Sequence, residues 1–356
     1  MRALYFGTYE RDYPRNAQVI SCLRRAGVEV REQHERVWDG RRDSWRAGPL
    51  DAARLAFAEA KLLLHRPRER HDAVLVGYPG HFDLPAAKRA ARGAPVVFNP
   101  LVSLADTFVN DRGRFRPGSL PARALAAVDR HAFRSADLVV ADTRAHADHL
   151  AWLAGLEPDR VAVCLVGAEE RVFMPGWAPR EPFECLFVGK LIPLHGLDTI
   201  LAAARLAPEL HFRVVGSGQL EQLVATRPAN VEHVPWVEYP RLPEELHRAS
   251  CSLGIFGTSG KAARVIPNKA FQALACGTPL VTGDTPAARE VLVDGESALL
   301  VPTGDPEALA NALRRLAADP GLARRLSAGG LAAYREHASE DVLGARWRDL
   351  LEELAA

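Results

Sequence analysis

The sequence predicts an α/β protein built from two Rossmann-like, doubly wound parallel-sheet domains. Three observations carry that expectation. Short β-branched apolar runs alternate with Ala/Leu/Arg-rich amphipathic runs along the whole chain, the pattern of βαβ units. The alternation lapses once, over 167–183, where Pro175, Pro179 and Pro182 interrupt an aperiodic stretch, and then restarts. The length of 356 residues also exceeds what one hydrophobic core ordinarily supports. These boundaries give an N-terminal domain over 1–166, a linker over 167–183, a C-terminal domain over 184–335 and a closing helix over 336–356.

Taken in order, the strands expected in the first half are Ala3–Phe6, Val28–Arg31, Ala73–Val76, Pro95–Phe98, Leu138–Ala141 and Val161–Val166. Amphipathic helical runs such as Ala17–Ala26 and Ala52–Leu64 lie between them. His34–Pro49 is polar, contains tryptophan and has no period that assigns it. The second series is Cys185–Val188, Phe212–Val215, Val231–Val234, Cys251–Ile255, Leu280–Val281 and Leu299–Val301. The tail carries Trp347 and Leu350 on one apolar face of the closing helix, which is expected to cross back to the N-terminal domain.

Composition narrows the function. A net charge of +1 argues against a dominant nucleic-acid footprint. No apolar run approaches the roughly 20 residues of a membrane span, and Met1–Phe6 enters a strand at once, so no signal peptide is expected. Cys22, Cys164, Cys185, Cys251 and Cys276 are odd in number, scattered and without C-x-x-C spacing. Neither structural disulfides nor zinc is expected, and a reducing cytoplasm fits. Lysine occurs only at 61, 88, 190, 261 and 269, every other cation being arginine, so each lysine invites the question of what holds it there.

In parallel sheets ligands sit beyond the carboxyl ends of the strands. Three such loops stand out. In "FVGKLIPLHG", Gly189-Lys190 leaves a strand and His195-Gly196 opens the helix Leu197–Leu206. A cation and an imidazole beside a helix start suit a diphosphate, whereas a solvated lysine and a capping histidine would be the plain alternative. In "FRVVGSGQL", Gly216-Ser217-Gly218 is a tight turn through which backbone can approach a phosphate, a weak signal alone. In "GKAARVIPNKAFQALACGTPLV", Pro267 suits a first helical position and Lys269 falls in the first turn, where the helix dipole disfavours a cation. A neighbouring anion would explain it, and Lys261 and Arg264 are expected on the same rim; a lone snorkelling lysine is the alternative.

These motifs, in this order, resemble the donor domain of the GT-B glycosyltransferases, specifically the retaining, nucleotide-sugar-dependent family 4. The resemblance rests on Gly189-Lys190-Leu191 with His195-Gly196, Val215-Gly216-Ser217-Gly218, Leu274–Val281, Arg289-Glu290 and "VDGESALLVPTGDPEALANAL", covering most of 165–330. The N-terminal half is similar in outline, with "FGTYERDYPRN" where the family has its glycine-rich acceptor loop. Lys190 stands for the family's usual arginine and His195 for its lysine. Its E-x7-E positions read Arg264 and Gln272.

The resemblance implies two such domains facing across a cleft, and a retaining transfer of sugar from a nucleotide-diphosphate donor of UDP or GDP type to a hydroxyl acceptor. That acceptor would be a glycan, a lipid or a small molecule. Donor contacts are expected from Gly189, Lys190, His195, Gly216, Ser217, Gly218, Lys261, Arg264, Val265, Ile266, Pro267, Asn268, Lys269 and Gln272. Lys190, His195, Arg264 and His81 are the candidate catalytic residues, and Gly7, Arg15, Asn16 and Asp106 the candidate acceptor liners. No Asp-x-Asp occurs, so neither metal nor separate cofactor is expected. A non-catalytic nucleotide-sugar binder, or an epimerase or phosphorylase on the same fold, remains the alternative. The basic segment "DRGRFRPGSLPARALAAVDRHAFR" reads first as a solvated helix and second as a weak contact with an anionic inner-membrane face. Either a monomer or a dimer is compatible with these features.

Overall fold

The computed structural model describes residues 1–11, 13–38, 48–65, 67 and 69–356. Positions 39–47 of the unassigned segment, and Asp12 of the expected acceptor loop, lie outside the described residues. The chain divides into two compact units, one formed by Met1–Leu165 with Glu340–Ala356 and the other by Val166–Ser339.

In the first unit the order is β1 (Arg2–Gly7), α1 (Pro14–Arg25), β2 (Glu29–His34), α2 (Pro49–Leu64), β3 (Ala73–Val76), α3 (Leu84–Ala91) and β4 (Val96–Phe98). It continues with α4 (Leu120–Ser135), β5 (Leu138–Ala141), α5 (Arg144–Ala154) and β6 (Val161–Val163). The sheet is parallel, in the order β2-β1-β3-β4-β5-β6. Its inner strands β1, β3, β4 and β5 are apolar on both faces because helices cover both, whereas the edge strand β2 is polar except at Val30. Leu4, Phe6, Val74 and Val76 pack with residues of α2, α3, α4 and α5, such as Leu62, Ala87, Phe133 and Leu150. The alternate residues Tyr5, Leu75 and Val97 pack with α1 and the chain's last helix.

The second unit runs β7 (Glu184–Val188), α6 (Leu197–Leu206), β8 (His211–Val215), α7 (Glu221–Ala225), β9 (Val231–Val234), α8 (Leu242–Arg248) and β10 (Cys251–Leu253). Then follow α9 (Asn268–Cys276), β11 (Leu280–Gly283), β12 (Leu299–Val301), α10 (Pro306–Ala318) and α11 (Pro320–His337). Its parallel sheet is ordered β12-β11-β10-β7-β8-β9. The chain leaves β7 toward β8 on one side and resumes at β10 on the other, so the topological switch point lies between β7 and β10. Crossovers are right-handed, so helices built in opposite directions from that point fall on opposite faces. A crevice at the strand ends is left where they diverge.

Several boundaries differ from the sequence expectation. β6 stops at Val163 and β10 at Leu253, because the apolar residues beyond them continue as buried loop rather than ladder. The stretch 167–183 is no free linker. Gly176, Ala178 and Arg180 donate their amides to Cys276, His247 and Arg248 carbonyls, the Trp177 indole donates to Ala249 O, and Phe173 is buried, all within the second unit. The tail is split: His337 ends α11, and α12 (Glu340–Ala355) packs on α1 in the first unit, burying Leu343, Trp347, Leu350 and Leu351.

Candidate functional site

The loops that leave β7, β8 and β10 meet at the switch point of the second unit. Gly189 follows β7 with φ +149° and Gly216 follows β8 with φ +143°; a Cβ on Gly216 would sit 1.9 Å from the Gly189 carbonyl oxygen. Only glycine permits two strand ends to approach so closely in that conformation. The two loops are then zipped together, Leu191 N–H donating to Ser217 O and Leu220 N–H to Leu191 O. This closeness has a cost for the ligand. The Gly189 amide is committed to Val215 O and the Gly216 amide to Val234 O, so neither is available to a phosphate as the turn motif suggested.

His195 ends a 3-10 turn, Pro193–His195, before α6. Its Nδ1 lies 2.5 Å from the Lys190 carbonyl oxygen, an acceptor only, so Nδ1 carries the proton. The imidazole is buried and rests edge-on against Phe187. Lys190 itself is half-buried beside it.

Lys269 is the most informative side chain. Pro267 is the N-cap of α9 rather than its first residue, with extended backbone, so Lys269 is the second residue of the helix. Its ammonium is buried, lies 3.6 Å above the Phe187 ring centre and has no hydrogen-bond acceptor among the described residues. A Cβ at Gly189 would come within 3.0 Å of Lys269 Nζ and 3.3 Å of His195 Cε1, so the missing side chain leaves a gap beside both. Burial pushes the Lys269 pKa well below the ordinary lysine value. The aromatic face offsets part of that cost, but an ammonium without acceptors at a strand-end crevice is a site short of an anion.

The remaining expected donor residues separate into two groups. Lys261 is buried and Arg264 half-buried in the turn before α9, where Gly260 leaves room for the Arg264 guanidinium. Asn268 is half-buried at the helix start, and Ser217 and Gly218 are half-buried in the β8 loop. Val265 and Ile266, by contrast, bury their side chains, Val265 joining an apolar cluster with Ile192, Leu194 and Ile255. Only their main chain is available to a ligand. Gln272 is buried one turn after Lys269, and its amide acts on the Tyr239 phenol. Burial, above all, raises that phenol's pKa; the nearby Glu169 adds to the rise and Gln272 offsets part of it. Phe187, Tyr239 and the buried Glu169 were not singled out by the sequence. Their signals are thin: Phe187 is one more apolar strand residue, and Glu169 sits in the aperiodic stretch.

In the first unit the structure corrects most of the expected acceptor liners. Arg15 is wholly buried under Trp347, its guanidinium donating to Leu165 O at 2.5 Å and Cys164 O at 2.9 Å. Asn16 spends both ends of its amide on Tyr5, Tyr78 and Glu10. Both are interior clamps that tie α1 down. Gly7, with φ +122°, makes room for the buried Asp83, which accepts from Thr8 N–H and Oγ. His81 is enclosed too, with Nε2 3.3 Å from Asp129 Oδ1. Burial opposes the Asp129 charge, but the adjacent His81 imidazole and hydrogen bonds from Ala105 N–H and Ser103 outweigh it and hold the carboxyl below its usual range. Asp129 thus ties down the loop after β4, and His81, enclosed between Asp129, Phe98 and Phe133, is not presented as a catalytic group. Asp106 is buried as well, at the start of a π-helical turn, Asp106–Asp111, after β4, bound by Asn110 and 3.9 Å from His149. The sequence also missed the buried Asp142–His146 pair, 2.5 Å apart at the start of α5.

Among the described residues, Glu184, His211 and Glu232 are the acids and imidazole grouped closely enough to suggest a metal. They lie at or near the amino ends of β7, β8 and β9, away from this site, and are interleaved with Arg213 and Arg248.

Comparison with known proteins bears on the whole chain. A family profile described as "Glycosyl transferases group 1" matches residues 182–319, and one described as "Glycosyl transferase 4-like domain" matches 6–167. A protein named D-inositol 3-phosphate glycosyltransferase from Acidothermus cellulolyticus is 32% identical over 250 residues, 62% of this chain and 54% of that protein. A protein of the same name from Nocardioides sp. is 28% identical over 89% of this chain and 75% of its own length. In the first three such relatives the matched region spans about half of their length. Among solved structures, sucrose-phosphate synthase from Thermosynechococcus elongatus superposes with a TM-score of 0.75 at 18% identity, covering 99% of this chain and 98% of that one. Anabaena HepE, solved with UDP-glucose, gives 0.69 at 16% identity over 99% of this chain and 100% of its own.

Proposed function

We propose a function from the premise that the chain belongs to the group 1, family 4 glycosyltransferases of the GT-B fold: it moves a sugar from a nucleotide-diphosphate donor to a hydroxyl acceptor. The single observation that carries this reading is the buried ammonium of Lys269, without an acceptor among the described residues, beside Gly189 and His195 at the switch point of the second sheet. A diphosphate supplies the anion that this arrangement lacks. The complexes of Anabaena HepE with UDP and with UDP-glucose support a nucleotide sugar as that anion's carrier.

In the reaction the bond from sugar C1 to the diphosphate oxygen breaks, and a bond from the acceptor oxygen to C1 forms. Negative charge grows on the departing diphosphate as the sugar becomes oxocarbenium-like. Donors fixed around the diphosphate stabilise that state more than the bound substrate. Lys190, Lys269 and His195 are the groups for this task, with Lys261 and Arg264 next in line. Family 4 membership supports retention at C1, in which the acceptor enters on the face the diphosphate leaves and its proton passes to a diphosphate oxygen. The first unit is assigned the acceptor, with Asp106 the surviving candidate among the expected liners. The site needs no metal in this reading, its cations taking that role.

Arg264 and Gln272, standing where the family carries acids, favour one rival: a protein that binds nucleotide sugars without transferring them. Calorimetric titration with UDP-, GDP- and TDP-sugars, followed by turnover across an acceptor panel, separates the two. Binding with turnover that falls about 10²-fold or more in Lys190→Ala supports transfer. Binding without turnover supports the rival, and no nucleotide binding removes both.

A further inference from the structure

Helices α2, α3 and α4 lie side by side on one face of the first sheet. A surface helix ordinarily hides its apolar stripe and shows water its polar one. In α2 a second apolar stripe faces outward. Leu50, Phe57 and Leu64, spaced seven apart and so on one side of the helix, are 77%, 74% and 78% exposed, with Ala53 and Ala60 exposed between them. Its opposite side is already satisfied by the core through Ala58 and Leu62.

The charges around this stripe are of one sign. Exposed on the three helices are Arg54, Lys61, Lys88, Arg89, Arg123, Arg130 and Arg134, and no exposed acid accompanies them on those helices. Their three acids are withdrawn. Asp51 and Asp129 are buried, and burial, with the neighbouring Asp83, lifts Glu59 to about 10 and leaves it uncharged. Arg54, Lys61 and Lys88 have acidic neighbours in Asp51, Glu35 and Asp137, while Arg89, Arg123 and Arg130 have no acidic partner among the described residues. In a chain of net charge +1, this concentration of cations is local.

We infer that the α2–α3–α4 face of the first unit docks on an anionic lipid bilayer, with Leu50, Phe57 and Leu64 entering the acyl boundary and the arginines meeting lipid phosphates. Both halves of the surface are needed to choose this partner. A nucleic acid or acidic glycan would reward the arginines but leave three large apolar side chains in water. A second copy of this chain would cover the apolar stripe but bring cations against cations across a two-fold axis. A bilayer with anionic headgroups takes both, as amphipathic helices with basic flanks do. No described helix is long and apolar enough to cross the membrane, so the attachment is to one surface.

Sedimentation of the full chain with vesicles tests this directly. Vesicles containing phosphatidylglycerol should carry the protein down, pure phosphatidylcholine vesicles should not, and binding should fall as salt rises. Phe57→Glu with Leu64→Glu should weaken binding at least tenfold, and Arg89→Gln with Arg123→Gln and Arg130→Gln by a similar factor. Because all five side chains are exposed, circular dichroism and donor titration should match the parent for both variants. No binding to anionic vesicles, or binding unchanged by both variants, overturns the inference. So does a dimer that Phe57→Glu with Leu64→Glu dissociates in a chain indifferent to vesicles.

Discussion

At the scale of single residues, Lys269 is a group whose charge waits on a ligand. Its folded-state pKa is depressed, so the unfolded chain binds the proton more readily. Stability of the unliganded protein should therefore rise with pH between that depressed value and the ordinary lysine value, with the full penalty present below it. Lys269→Met should stabilise the unliganded protein near neutral pH, by an amount that shrinks toward alkaline pH, and should weaken nucleotide-diphosphate binding about tenfold or more. Denaturant titrations across pH, with and without UDP, read both. Binding to the parent should also take up a proton within that window, visible as a buffer-dependent enthalpy; a mutant with parental affinity and no proton uptake would place the diphosphate elsewhere. Gln272 makes the second case. Its neighbour Tyr239 offers a buried hydroxyl, so a carboxylate in its place gains a donor and remains the stronger partner for a diol. Gln272→Glu should keep or tighten nucleotide affinity in calorimetry, and its loss in a folded variant would move the ribose off α9.

Elements set what these residues can reach. The β7 and β8 loops lie together because Gly189 and Gly216 leave no side chains between them, and the Lys269–His195 gap exists for the same reason. Gly216→Ala would force a Cβ onto the Gly189 carbonyl in a backbone region L-residues avoid. We expect a loss of about 3 kcal/mol or more, seen as a fall of several degrees in the melting of the second unit. Gly295→Ala, where positive φ meets open space, should cost less and is the control for strain alone. Equal losses would mean the loop contact contributes little.

For the whole molecule, the chain visits its first unit twice, and α12 completes a core begun by α1 and β1 some three hundred residues earlier. Leu343, Trp347, Leu350 and Leu351 are all buried there, each worth roughly 2 kcal/mol of burial. That sum approaches the ordinary stability of a domain. A chain ending at Ser339 should therefore lose the folded first unit while the second still melts cooperatively and binds nucleotide. Calorimetry showing both transitions intact would mean α12 is dispensable.

Periodicity and composition determined much of this protein: twelve strands near their observed places, the parallel α/β class, and the strand-end loops of the second half that the structure brings together. The family was legible in Gly189-Lys190, Gly216-Ser217-Gly218 and Cys276-Gly277-Thr278-Pro279, because backbone geometry at a strand end admits few residue types. What the tertiary structure decided were the facts that depend on partners distant in the chain. Arg15, Asn16 and His81 look like loop polars in one dimension, yet each is buried against groups brought from elsewhere in the fold: Arg15 on the Leu165 and Cys164 carbonyls, Asn16 on Tyr5 and Tyr78, His81 on Asp129. Lys269 looks like a surface lysine, and burial over Phe187 leaves its amine without an acceptor among the described residues. Charge and polarity are written in the residue, whereas solvation and hydrogen-bond satisfaction belong to its surroundings, and those are settled only once the strands have been brought side by side.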